Sequence, residues 1–154
     1  MSKTEKNESL SLSLKALLRE SLEWIESEQA LLLDDSPYKA ASPAEVKLFA
    51  ALGGKSKSIA DLSRKLAVSR QAAHQTVKKL SARGLVVLEH AENNRRDKIV
   101  TITEEGMQAR KLTAKHFRQI EAKMSKNIGK KNLESLRQLL QENLEKANQQ
   151  GDSK

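Results

Sequence analysis

Apolar positions along the chain follow two rhythms, one helical and one of period two. Leu14, Leu17, Leu18, Leu22, Ile25 and Leu32 recur mostly at intervals of three and four. That spacing predicts a long amphipathic helix over Leu10–Leu33, with Trp24 at the edge of its stripe. Asp34-Asp35-Ser36-Pro37 ends it, because proline cannot continue a helix and disfavours helical geometry in the residue before it. Ser42-Pro43-Ala44-Glu45 is a start signal. Ser42 can cap, Pro43 sits where its missing N–H costs nothing, and Glu45 completes a capping box. Val46, Phe49, Ala50 and Leu52 are the expected inward positions of this second helix, and Gly53-Gly54 its stop.

Ser58 and Asp61 open a third helix in the same manner, with Leu62, Leu66 and Ala67 expected inward. Val68 makes a turn, and Ser69 caps a further helix that runs to about Arg83 and is ended by Gly84. Ala73, Val77 and Leu80 form its inward stripe. The rhythm then changes. Leu85–Glu89 and Asp97–Ile102 read as strands, with Ile99 and Thr101 facing one way and Val100 and Ile102 the other. The loop AENNRR between them suits an exposed hairpin tip. From about Glu104 a long helix carries Met107, Leu112, Phe117, Ile120, Met124 and Ile128 near helical spacing. Gly129 interrupts it, and a last helix carries Leu133, Leu136, Leu139, Leu140 and Leu144.

This order predicts a mainly α chain with a small β-hairpin wing. It is a winged helix-turn-helix between N- and C-terminal helices. The expected boundaries are a disordered tail over 1–9, an N-terminal dimerisation helix over 10–35 and a winged domain over 36–103. C-terminal dimerisation helices follow over 104–147, then a polar, disordered tail over 148–154. The terminal stripes are too apolar for one small winged domain to cover. They can pack on each other within the chain, or interlock with a second copy. The second option is preferred, because a symmetric pair is the commonest soluble oligomer and buries both stripes. Leu14, Leu17, Leu18, Ile25, Leu133, Leu136, Leu140 and Leu144 are the residues assigned to that dimer.

Charge sharpens the picture. Between Lys55 and Lys98 eleven basic side chains stand against four acids, a local net charge of +7 out of +8 for all 154 residues. A polyanionic partner for this segment follows. In a helix-turn-helix the second helix enters the major groove with its N-terminal residues at the base edges. With Ala73, Val77 and Leu80 inward, that helix presents Arg70, Gln71, His74, Gln75, Lys78 and Lys79. Arg can bond guanine in two places and Gln adenine, while His can donate or accept. Ser69 and the first N–H groups of the helix suit a phosphate. Arg95 and Arg96 fall on the hairpin loop, where one is expected in a narrow minor groove and the other on the loop or a phosphate. Lys55, Lys57, Arg64 and Lys78 are expected phosphate contacts, which add affinity without sequence information. Taken alone, each of these features also fits an ordinary solvated helix or polar turn. Their succession favours DNA.

Other classes find little in the residues. No apolar run approaches the roughly 20 residues of a membrane-spanning helix, and MSKTEKNESL lacks an apolar signal core, so a cytoplasmic setting is expected. The chain has no cysteine, which excludes disulfides, thiolate metal sites and thiol redox sensing on it. His74, His90 and His116 lie in three elements without ligand spacing, and His116 is expected at a surface or interface. Neither HExxH, a Gly-rich phosphate loop nor GxSxG occurs. No enzymatic activity, metal or cofactor is expected.

Three runs carry a family resemblance: SPAEVKLFAAL, SIADLSRKLAVSRQAAHQTVKKLSARGLV and NNRRDKIVTITEEG. They resemble the MarR family of bacterial transcription regulators over roughly 40–128, and the outer helices match in position and character. The resemblance implies a homodimer with interdigitated terminal helices, whose two winged domains bind successive major grooves of a palindromic operator. It carries the recognition role onto Ser69–Lys79 and the wing role onto Arg95 and Arg96. It also implies repression by covering a promoter, with release by a small, often phenolic, effector bound between winged domain and dimer helices. The chain departs from the family twice. Asn94 stands where an Asp often precedes the wing Arg pair, and the aromatic residues Trp24, Tyr38, Phe49 and Phe117 do not outline an aromatic pocket. The competing reading is a winged-helix interaction module whose basic face binds an acidic protein partner. Polar base-reading side chains at 70, 71, 74 and 75 favour DNA.

Overall fold

A computed structural model describes residues 12–92 and 94–151; the side chains of Asn94, Arg95 and Asp97 are not among its described parts. In chain order it contains helices α1 (Leu14–Asp34) and α2 (Pro43–Leu52), strand β1 (Lys57–Ser58), and helices α3 (Ile59–Leu66) and α4 (Arg70–Ala82). Strands β2 (Val86–Ala91) and β3 (Asn94–Ile102) follow, then helices α5 (Glu104–Ile128) and α6 (Lys130–Gly151). The backbone divides into two compact units, residues 30–115 and the helical remainder, whose described parts are 12–29 and 116–151.

In the first unit each helix starts where its sequence provides a cap. Ser42 accepts from the Glu45 amide at 3.3 Å, and the Glu45 carboxylate accepts from the Ser42 amide at 2.8 Å, a closed capping box with Pro43 in the first turn. Ser58 and Ser69 do the same for α3 and α4, accepting from the amides of Asp61 and Ala72 at 3.0 Å each. Gly53 and Gly84, at φ of +64° and +76°, end α2 and follow α4. The turn between α3 and α4 is less expected. Ala67, not Val68, takes the left-handed conformation (φ +52°), and it is exposed, not inward.

The core is assembled from one residue stripe per element: Leu48 and Leu52 of α2, Leu62 of α3, Val77 and Leu80 of α4, Val86 of β2 and Val100 of β3. The inward stripe of α2 therefore runs through Glu45, Leu48, Ala51 and Leu52. Val46 and Phe49 are only half-buried and Ala50 is exposed, contrary to the expectation for them. On α3, Ile59 joins Leu62 in the core, and Leu66 packs against its edge. The sheet has three strands in the order β1-β3-β2, all antiparallel. The two-residue β1 was not expected; Lys57 and Ser58 pair with Val100 and Ile99. It is too short to show a period.

The hairpin also differs. Asn94, Arg95 and Arg96 belong to β3, not to a loop. His90 pairs with Lys98 and the next residue, Ala91, with Asn94, so residues 95–97 of β3 are extra between consecutive partners. This is a bulge, which bends a strand and re-aims its side chains.

Two tight junctions hold α4 in place. Buried Glu45 receives the Arg83 Nε–H at 2.7 Å, while Arg83 also donates to the Ala40 carbonyl at 2.8 Å. Burial alone would raise the Glu45 carboxyl, but the bonds from Arg83 and Ser42 hold it below the ordinary carboxylate range. At the other junction Thr103 donates its hydroxyl to the Gly84 carbonyl at 2.5 Å and accepts from the Gly106 amide at 3.0 Å. The Thr103 amide donates to the Leu85 carbonyl at 3.1 Å. A Cβ on Gly106 would overlap that carbonyl oxygen and come within 2.6 Å of Ile102 Cγ1. Only glycine lets the start of α5 approach this closely.

In the helical remainder the buried side chains include Ala16, Gln29, His116 and Ile120. His116 is therefore buried, where a surface or interface place was expected. Glu28 pairs with Lys123, and Arg137 of α6 donates to Glu121 of α5 at 2.6 Å. α1 begins at Leu14, with Ser13 accepting from the Ala16 amide. α6 continues through 148–151, which the polar composition assigns to a tail, whereas 1–9 and 152–154 lie outside the described residues.

Two stability outcomes follow. Glu45→Gln should cost about 3 kcal/mol, the order of a buried pair that loses one partner. The folded carboxyl is held low, so its contribution is complete above the ordinary value of 4.5 and is lost as pH falls through the folded value. Denaturant titrations at pH 7 and pH 3 should therefore show the variant and parent converging in acid. Gly106→Ala should cost about 1–3 kcal/mol in the same assay, as expected of overpacking.

Candidate nucleic-acid interface

α4 is amphipathic in the most useful way. Ala73, Val77 and Leu80 are at most 2% exposed, and this stripe turns Arg70, Gln71, Gln75, Lys78 and Lys79 fully outward. His74 is half-buried on the shoulder of that face. Ser69 is exposed at the N-cap, where its hydroxyl is already committed to Ala72.

Beside the first turns of α4 lies a cleft of about 340 Å³. Ser58, Ile59 and Ala60 from the start of α3 line it with Arg70, Gln71 and His74 of α4 and Arg96 and Lys98 of β3. The alternation of β3 accounts for its outer wall. Lys98 shares the face of buried Val100, two residues on, but lies past the rim of the core. Its ammonium reaches the His74 ring, Nζ to Nε2 at 3.4 Å. Burial, then the nearby charges of Lys98 and Lys78, push the His74 ring below the ordinary histidine range.

The other expected contacts fare differently. Arg96 is brought beside α4 through the cleft, whereas the Arg95 side chain lies outside the described parts. Arg64 pairs with Asp61 one turn earlier on α3, and Asp61 is held below its ordinary range by Ser58 first and then by Arg64. Lys57 donates to the Ala51 carbonyl at 2.8 Å, closing the end of α2. Burial and the neighbouring Lys65 and Lys55 lower its ammonium. Lys57 thus has an internal task besides any phosphate contact. Lys55 remains exposed.

Lys98 is the residue that the sequence pattern left out. It was legible in principle, since a period-two strand that buries Val100 must aim Lys98 along the same face. The reach to His74 required the relative placement of β3 and α4, which no local pattern contains. Among the described residues no group of His, Asp and Glu could hold a metal ion, and no helix is long and apolar enough to cross a membrane.

The architecture and the exposed face of α4 define a winged helix-turn-helix protein. Residues 42–97 match the family model of the MarR family. No curated protein matches the chain. Solved structures share its fold over nearly all its length. A mutant MarR from E. coli is 18% identical, with a TM-score of 0.74, over 90% of this chain and 99% of that one. The regulator BldR from Sulfolobus solfataricus is 23% identical, with a TM-score of 0.65 and coverage of 92% and 99%. BpsR from Bordetella bronchiseptica, whose DNA binding is regulated by 6-hydroxynicotinic acid, is 20% identical, with a TM-score of 0.66 and coverage of 88% and 96%. The chain therefore has the fold of MarR-type transcription regulators.

Proposed function

We propose that the protein is a homodimeric, sequence-specific DNA-binding transcription regulator that represses by occupying a palindromic operator. The observation that carries this reading is the face of α4. A row of Arg, Gln and Lys side chains stands outward on a helix whose opposite stripe is locked into the core, with cationic Arg96 and Lys98 beside it. Such a helix fits the major groove, and Arg and Gln are the side chains that read guanine and adenine bidentately. Phosphate contacts from Ser69, Lys55, Lys78 and Lys79 supply affinity without sequence information. Arg64 joins them by exchanging Asp61 for a phosphate. Arg95 and Arg96 complete the wing contact.

The dimer rests on the terminal helices. Leu14, Leu17, Leu18, Leu136 and Leu144 are 38–67% exposed, while Ile25, Leu133 and Leu140 are half-buried. Taking each partly exposed leucine into an interface contributes about 1–2 kcal/mol, which makes a second copy the natural cover. Release by a small effector belongs to the proposal by analogy with BpsR alone. A cytoplasmic setting and the absence of catalysis complete it.

Variants of α4 divide this reading into measurable parts. Gln71→Ala should lose about 1–3 kcal/mol of discrimination at one base pair while leaving salt dependence intact. Lys79→Ala should weaken binding to all sequences alike and flatten the slope of log affinity against log salt by nearly one unit. Fluorescence anisotropy on operator and scrambled duplexes checks both. Equal binding of the two duplexes by the parent protein would leave an acidic protein partner as the better explanation of the basic face.

A further inference from the structure

The contact between Lys98 and His74 has a chemical consequence for the reading helix. An ammonium group has donors only, so Lys98 Nζ, 3.4 Å from Nε2, addresses a ring nitrogen that must accept. A hydrogen bond between the two requires a neutral ring with its proton on Nδ1. Every charged group around it acts in the same direction. Lys98 approaches from β3 and Lys78 stands on α4 itself, with Arg96 of β3 and Arg70 of α4 lining the same cleft. The start of α3 contributes Ser58, Ile59 and Ala60, none of them charged, and no carboxylate lines the cleft among the described residues. A second proton on His74 would add a cation to this crowd.

We propose that Lys98 is a positioning residue for DNA recognition, fixing His74 from the wing as the neutral Nδ1–H tautomer before the helix meets a base pair. Wing and recognition helix then read as one unit. A neutral histidine in either tautomer could offer a donor or an acceptor; this one offers a donor, because its acceptor is occupied by Lys98. It favours the acceptor edges of guanine N7 and O6, adenine N7 or thymine O4 over the amino groups of cytosine and adenine. The idea rests on the DNA-binding reading above and extends it to a residue that need touch no DNA.

Two measurements test it. The first uses the DNA-free full-length protein. Long-range ¹H–¹⁵N correlation spectra of the imidazole rings, with His74→Gln identifying the signals, should show His74 as the Nδ1–H tautomer and titrating below an ordinary histidine. Lys98→Met should move the titration upward and admit the Nε2–H tautomer, and Lys98→Arg should restore the parent pattern. Lys78→Met should raise the titration without changing the tautomer. An unchanged His74 in Lys98→Met would overturn the proposal. The second is operator affinity in a double-mutant cycle. Lys98→Met should weaken the operator about fivefold, the scale of coupling between contacting residues, and do so far less in a His74→Gln background. Its salt slope should match the parent's. Additive losses with a slope reduced by nearly one unit would instead make Lys98 a separate phosphate contact, contradicting the proposal. If the ring responds as expected but the parent prefers no duplex, the DNA reading fails, and the positioning role fails with it. The Lys98–His74 pair itself would stand.

Discussion

Packing of Ala73, Val77 and Leu80 against the core decides what the protein can present to a partner. These three positions allow α4 only one rotation about its axis, because turning it would expose Val77 and Leu80 and bury Arg70 or Lys78 without a partner. Everything functional on the helix inherits that rotation. Arg70, Gln71, Gln75, Lys78 and Lys79 stand outward since Ala73, Val77 and Leu80 on the opposite side are enclosed. The two junctions at the far end of α4, Arg83 on Glu45 and Thr103 on Gly84, then fix where the helix stops and the sheet begins.

The wing depends on the same core by a different periodicity. Val100 is enclosed at 0% exposure, and Lys98 follows its face outward to the flank of α4. The bulge over 95–97 lies one step nearer the start of β3, next to the tip of the hairpin. The strand that covers the core at Val100 thus forms, at Lys98 and Arg96, a cationic rim beside α4. The outward face of α4 and the β3 residues beside it are joined through packing, with Val100 as the common support.

Much of this was readable without coordinates, and the reasons are local. Ser42, Ser58 and Ser69 cap their helices through bonds to amides three residues on, a relation contained within four residues of sequence. The Ala73, Val77 and Leu80 stripe is a pure helical repeat, so the outward face followed from it. Where several placements share one pattern, sequence left the choice open. On α2, Ala50 and Ala51 are adjacent alanines, and only the packing of Leu48 against its neighbours puts Ala51 inside. Ala67 looked apolar and inward, but it carries the left-handed turn between α3 and α4. β1 has two residues, too few for a rhythm, and the β3 bulge is a register between strands. Lys98 escaped notice for the same reason. Its role depends on what lies opposite.

The central claim is that one face of α4, duplicated by a dimer, reads a particular DNA sequence. Selection of genomic fragments by the purified protein at moderate salt, followed by sequencing, tests it most directly. Enrichment of one inverted repeat with half-sites about one helical turn apart is expected, the geometry of two such helices in successive major grooves. Uniform retention of all fragments would contradict it, because the basic face would then hold DNA by charge alone.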